Sequence, residues 1–155
     1  MAKAFRFRLE GLLRLRSRVE EEAERGHLAA AARERKAERA LDSARLERRQ
    51  AASEALARRQ AGLLDLRAVQ DEGAWERALD QRILEAEQAL DEASRETSRA
   101  REAWLAARRA REIVSRLKEK QHQVWLQDLE HAERVLLDEL ATQAYARRQD
   151  RPETL

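Results

Sequence analysis

The chain has 155 residues, 40% of them charged and 4% aromatic, with four glycines, one proline and no cysteine. That is the composition of a long helix or coiled coil, and it leaves too few large apolar groups to fill a compact two-layer core. The formal net charge of +2 is the residue of 32 basic and 30 acidic side chains with interleaved signs, unlike the concentrated basic excess of a nucleic-acid binder.

The first predicted element is a helix over about residues 5–69. Its apolar stripe runs Leu12, Leu15, Val19, Ala23, Gly26, Ala30, Ala37, Leu41, Ala44, Ala52, Leu56, Leu63 and Leu66, with Arg33 and Arg48 or Arg49 interrupting it. Gly11, Gly26 and Gly62 each weaken this helix by about 1 kcal/mol relative to Ala. A turn is predicted at residues 70–74, where Asp71 caps a new helix, Glu72 favours its first turn and Gly73 follows.

The second helix is predicted over about residues 75–148. From Trp75 to Val124 its stripe recurs at alternating spacings of four and three: Trp75, Leu79, Arg82, Ala86, Ala89, Ala93, Glu96, Ala100, Ala103, Ala107, Ala110, Val114, Leu117, Gln121 and Val124. That is a coiled-coil seam with a period of 3.5, mostly alanine. Near Gln121 the seam drifts, and Trp125, Leu129, Ala132, Leu136 and Leu140 take over. Pro152 lies past the end, so residues 150–155 are expected to form a frayed tail.

The expected fold is all-α, a long two-helix antiparallel coiled-coil hairpin forming one domain over residues 1–155. Residue i then faces roughly residue 145 minus i, so that Leu41 meets Trp104 and Leu66 meets Leu79. Such a rod is on the order of 100 Å long. The competing architecture is one unbroken helix that dimerises, since Gly73 costs only about 1 kcal/mol inside a helix.

A paired helix of this kind offers no pocket for chemistry. His27, His122 and His131 are the only histidines, and none has the i, i+4 spacing of a helical zinc site. No metal or cofactor is expected. Carboxylates such as Glu20, Glu21 and Glu22 lack a cavity to raise a pKa, and the serines lack a neighbouring base, so the chain does not read as an enzyme. No run approaches the roughly 20 apolar residues that span a bilayer. Lys3, Arg6 and Arg8 are not followed by the apolar stretch of a secretory signal, so a cytoplasmic protein without membrane insertion is expected.

Local excesses remain. Lys3, Arg6, Arg8, Arg14, Arg16 and Arg18 face acidic residues of the second helix in the hairpin, and Arg108 to Lys120 holds a second basic run. Trp104 sits beside the small-residue seam and reads as packed. Trp75, near Val69 and Leu79 at the turn, reads either as closing the tip or as a partner-binding patch.

The opening Phe5-Arg6-Phe7-Arg8-Leu9-Glu10-Gly11-Leu12-Leu13-Arg14-Leu15-Arg16, with the acidic stretch from Glu20, resembles the start of the FliJ family of flagellar export proteins. Arg116-Leu117-Lys118-Glu119-Lys120-Gln121, Glu133 and Asp138-Glu139-Leu140-Ala141 resemble its C-terminal signature. The resemblance covers the whole length, although this chain carries more alanine and arginine than the family's usual pattern. It implies a non-enzymatic cytoplasmic coiled coil, similar to the central stalk of rotary ATPases, at the inner membrane of the flagellar base. It implies an export ATPase hexamer and a membrane-embedded export gate as partners, with export chaperones as a further class, no nucleic acid and no cofactor. Arg8, Arg14, Arg116, Lys118 and Glu119 match the region assigned to the ATPase ring; Val69, Trp75 and Leu79 are the candidates for the gate. The alternatives are the equivalent stalk of a virulence secretion system and a generic dimerising coiled coil.

Overall fold

A computed structural model describes residues 4–62 and 65–149. Two helices, α1 (Glu10–Gln60) and α2 (Leu66–Gln149), pack against each other, with no strand among the described residues. The fold is the expected all-α helical hairpin, but its boundaries and register differ from those read in the sequence.

The turn lies earlier than residues 70–74. Helix α1 ends with Arg58 and Arg59 in its last turn, where cations favour the exposed carbonyls. Gly62 follows at φ 74° and donates its N–H to the Arg59 carbonyl at 3.2 Å. A left-handed residue just past the last turn is the common way to stop a helix, and glycine adopts it without a Cβ clash. Asp65 then starts α2: its side chain accepts from the Arg67 N–H at 3.4 Å and its carbonyl from the Val69 N–H at 3.1 Å. Asp71 and Gly73, taken for the turn, lie inside α2. Leu63, placed in the first stripe, and the tail at 150–155 fall outside the described residues.

The N-terminal boundary moves too. Phe5 to Leu9 is not helical, and α1 begins at Glu10, whose N–H reaches the Phe7 carbonyl at 3.3 Å. Phe5-Arg6-Phe7-Arg8 alternates with a period of two. Phe5 is half-buried and Phe7 buried while Arg6 and Arg8 are exposed, so the pattern is that of an irregular strand-like segment rather than a helix.

Residues Arg18–Arg108 form one compact unit. In it the seam of α2 is Glu72, Glu76, Leu79, Ile83, Ala86, Leu90, Ala93, Thr97, Ala100, Trp104 and Ala107, all buried or half-buried and spaced four and three without slip. Half the predicted stripe survives, namely Leu79, Ala86, Ala93, Ala100 and Ala107. The other half is displaced by one residue: Ile83, Leu90 and Trp104 turn inward in place of Arg82, Ala89 and Ala103, which are exposed. Larger apolar side chains bury more area, and that difference rotates the helix. On α1 the matching seam includes Ala30, Leu41 and Ala55, the buried residues of that helix, together with half-buried Glu34 and Arg48. Leu15, Val19 and Leu56, which the apolar stripe placed inside, are exposed.

Cross-helix pairs fix the register of this unit. Arg33 meets Glu96 at 3.6 Å, Arg45 Glu87 at 3.2 Å, and Arg58 Glu72 at 2.7 Å. Arg48 meets both Asp80 at 2.8 Å and Glu76 at 3.4 Å, and Glu47 takes Arg82 at 3.4 Å. The paired residue numbers add to between 124 and 132 rather than to 145. His27, not Leu41, therefore meets Trp104, with the rings stacked at 5.5 Å.

The other unit joins the residues up to Ser17 with those from Arg109 onward. Phe7 and Val114 are its buried residues. Lys118 pairs with Glu10 at 2.8 Å, and Phe5 packs on His122 at 4.9 Å and on Trp125 at 6.0 Å. Beyond Trp125, helix α2 loses its partner within this unit. Every residue from His131 to Gln149 is exposed. The two helices are not of similar length, as predicted, but 51 and 84 residues.

Candidate functional site

Among the described residues no group of three or more His, Asp or Glu could hold a metal ion, and no helix is long and apolar enough to cross a membrane. The candidate sites are surfaces.

The first surface lies where the N-terminal segment meets α2. Arg14 and Lys118 line one shallow hollow with Phe5, Arg6, Phe7 and Glu10. Lys118 and Glu119 line a second with Phe5, Leu13, Ser115 and His122. Lys118 is shared by both and is held by Glu10, so its charge is already partly matched. Arg8, Arg14, Arg116 and Glu119 are exposed. The structure thus brings Arg14, Lys118 and Glu119 to one neighbourhood, while Arg8 and Arg116 line neither hollow.

The second surface is near the turn, and there the three predicted residues separate. Leu79 is 1% exposed and belongs to the seam, so it is not open to a partner. Trp75 is 51% exposed, with the Arg82 guanidinium 5.7 Å from its ring centroid. Val69 is exposed too, but six residues along a helix places it about 120° around the axis from Trp75. Trp75 and Val69 do not form one patch.

Arg48 is the most heavily engaged cation. Its Nε donates to Asp80 and its Nη2 to Glu76. The Asp80 hydrogen bond above all raises its pKa; burial opposes the rise, and the nearby Asp80 and Glu76 charges add to it. A sequence search for apolar periodicity skips such a residue, although its aliphatic stem fills a seam position.

Three features were not foreseen. The His27–Trp104 stack leaves His27 Nδ1 and Trp104 Nε1 buried without a hydrogen-bond partner among the described residues. The Phe5, His122 and Trp125 cluster ties the N-terminal segment to α2. The third is the uncovered length of α2, which carries Leu126, Val135, Leu136, Leu137, Leu140 and Tyr145 at 40% exposure or more. The drift of the stripe at Gln121 was its only signal in the sequence.

Comparison with known families decides which kind of helical hairpin this is. The family described as "Flagellar FliJ protein" matches residues 5–150, nearly the whole chain. The chain belongs to the FliJ family. It is therefore a component of the flagellar export apparatus, and a non-catalytic one. Searches of curated proteins and of solved structures returned no match. The FliJ match starts at residue 5, the first residue of the aromatic cluster, and ends one residue past α2.

Proposed function

We propose that this FliJ family member is a stalk-like coiled coil that binds the ring of the export ATPase and couples it to the membrane-embedded export gate. The observation that carries the reading is the family match over residues 5–150. The protein works in the cytoplasm, peripherally associated with the inner membrane at the flagellar base, and also assists export chaperones. Arg8, Arg14, Arg116, Lys118 and Glu119 contribute to the ATPase contact and Trp75 to the gate contact; Val69 lies on another side of α2, and Leu79 is buried in the seam. A non-catalytic ligand of a ring changes ATP turnover only through different affinities for the states its subunits adopt.

The test is ATP hydrolysis by the cognate export ATPase with and without the purified chain. Stimulation that saturates with chain concentration is expected. No stimulation together with no co-purification refutes the reading.

A further inference from the structure

The side of α1 turned away from the seam carries charge of nearly one sign. From Arg25 to Arg49 the outward positions recur at spacings of three and four, opposite the stripe that buries Ala30 and Leu41. They hold Arg25, Arg35, Arg39 and Arg49, with Lys36 on the adjoining row and Asp42 as the one carboxylate of these rows. That is a net charge of +4 in a chain of net charge +2. All six are exposed, and none has an ion-pair partner among the described residues. Other carboxylates of the stretch are turned aside. Glu34 is half-buried in the seam, Glu47 pairs with Arg82 at 3.4 Å, and Glu38 lies about 100° round the axis from Arg39. Leu28 and Leu46 stand on the same outward rows as the arginines, 60% and 48% exposed. The strip is about 36 Å long at 1.5 Å per residue. The outward face of α2 in the same unit does not repeat it. There Glu85, Asp91, Glu92 and Glu102 alternate with Arg77, Arg95 and Arg99, and Arg95 is tied to Asp91 at 2.8 Å.

Charge, spacing and the two leucines select the occupant. A second copy of the same face would set +4 against +4, so the surface that covers it is anionic. The arginines fall 10, 4 and 10 residues apart, which leaves two gaps of about 15 Å. A folded acidic partner has to match those gaps, whereas mobile anionic headgroups gather at each cation wherever it lies. Exposed leucines among the cations have no counterpart in a phosphate backbone, but they fit the boundary between headgroups and acyl chains. We infer that the outward face of α1 over residues 25–49 lies flat on an anionic phospholipid bilayer, with its cations at the phosphates and Leu28 and Leu46 at the acyl boundary. The helix rests on the bilayer and is not apolar enough to cross it. This assignment rests on the peripheral inner-membrane placement proposed above and gives it a direct lipid contact.

The experiment measures co-sedimentation of the full chain with vesicles of phosphatidylglycerol mixed with phosphatidylcholine, and of phosphatidylcholine alone, at physiological salt. Binding to the first and not to the second is expected. Each Lys or Arg close to an anionic surface is worth about fivefold in affinity, so Arg35→Gln with Lys36→Gln and Arg39→Gln should cost at least about tenfold. Arg77→Gln with Arg95→Gln and Arg99→Gln removes the same number of charges from the outward face of α2 and should leave affinity within about twofold. Leu28→Gln with Leu46→Gln should weaken binding by about fivefold or more, because burying apolar area at the acyl boundary is lost. Glutamine is a good helix former at these exposed positions, and circular dichroism checks that all three variants stay folded. Failure of the unaltered chain to bind the anionic vesicles overturns the assignment, as do equal losses in the two charge variants. Tighter binding to a nucleic-acid duplex than to vesicles, insensitive to the leucine pair, replaces the bilayer with nucleic acid and also overturns it. A dimer by light scattering that the leucine variant dissolves does the same in favour of a second copy. Cell fractionation separates the two failures. A chain found with the membranes but unable to bind vesicles loses only the lipid contact, and a chain found only in the soluble fraction loses the placement as well.

Discussion

Replacing Leu79 with alanine separates a seam residue from a docking residue. Among the described residues Leu79 is the one large side chain that is essentially closed to solvent, at 1% exposure. Leu→Ala removes three carbons, and at about 0.8 kcal/mol per methylene-sized group the lost burial amounts to about 2.4 kcal/mol. A cavity adds to this in a deep core, but a seam between two helices is open at its sides and lets neighbours or water fill the gap. The expected loss is therefore about 2.5–3 kcal/mol, at the lower end of the range for buried leucines. Urea unfolding followed by helical circular dichroism measures it, with Leu84→Ala as control, since Leu84 is 47% exposed on the same helix. Leu84→Ala is expected to change stability by less than about 0.5 kcal/mol. A Leu79→Ala loss under about 1 kcal/mol, or one no larger than the control, would refute the assignment of Leu79 to the seam and return it to the surface near Trp75.

Two glycine substitutions should act in opposite directions. Gly62→Ala forces an L-residue to φ 74° and destabilises by about 1–2 kcal/mol, whereas Gly73→Ala, in the interior of α2 with Arg77 Nη1 an ordinary 3.7 Å from the added Cβ, stabilises by about 1 kcal/mol; thermal unfolding compares them directly. Arg48→Gln should lower the urea midpoint, because Asp80 and Glu76 both lose their partner, and the loss should shrink as salt is raised to about 1 M. Amide hydrogen exchange should be fastest in α2 over residues 131–149, where every residue is exposed, and slowest around Leu79 to Ala107; uniform protection along α2 would contradict the exposed end.

Much of this fold was legible in the chain, and the misplaced parts have identifiable causes. Alternating spacings of four and three correctly marked Leu79, Ala86, Ala93, Ala100 and Ala107 as seam residues. The spacing alone left the second half of the heptad undecided between Arg82 and Ile83, Ala89 and Leu90, or Ala103 and Trp104. Side-chain volume settles those choices, and a pattern that scores alanine and leucine alike is blind to it. The turn moved for a different reason. Gly62 followed by Asp65 is as good a stop-and-start signal as Asp71 with Gly73, but segments of equal length favoured the later pair. Equal length is not required, because a helix of good formers extends past its partner, as α2 does beyond Trp125. The candidate residues suffered from that same shift of register. Arg14, Lys118 and Glu119 survive as neighbours because all three lie in the unit where the N-terminal segment packs on α2. Trp75, Val69 and Leu79 were grouped around a turn that is not there.

The direction of the cross-helix pairs has a consequence for assembly. In the Arg18–Arg108 unit α1 supplies the guanidinium and α2 the carboxylate in the pairs of Arg33, Arg45, Arg48 and Arg58, while Glu47 and Arg82 pair in the opposite sense. Two copies of α1 lying parallel and in step would set each of these arginines beside its own duplicate, and two copies of α2 would do the same with Glu72, Glu76, Asp80, Glu87 and Glu96. Like charges so placed disfavour the pairing. The ladder contributes little net stability per rung at a solvated surface, yet it lets α1 distinguish α2 from another α1 in a sequence where alanine-rich stripes would otherwise fit almost any neighbour.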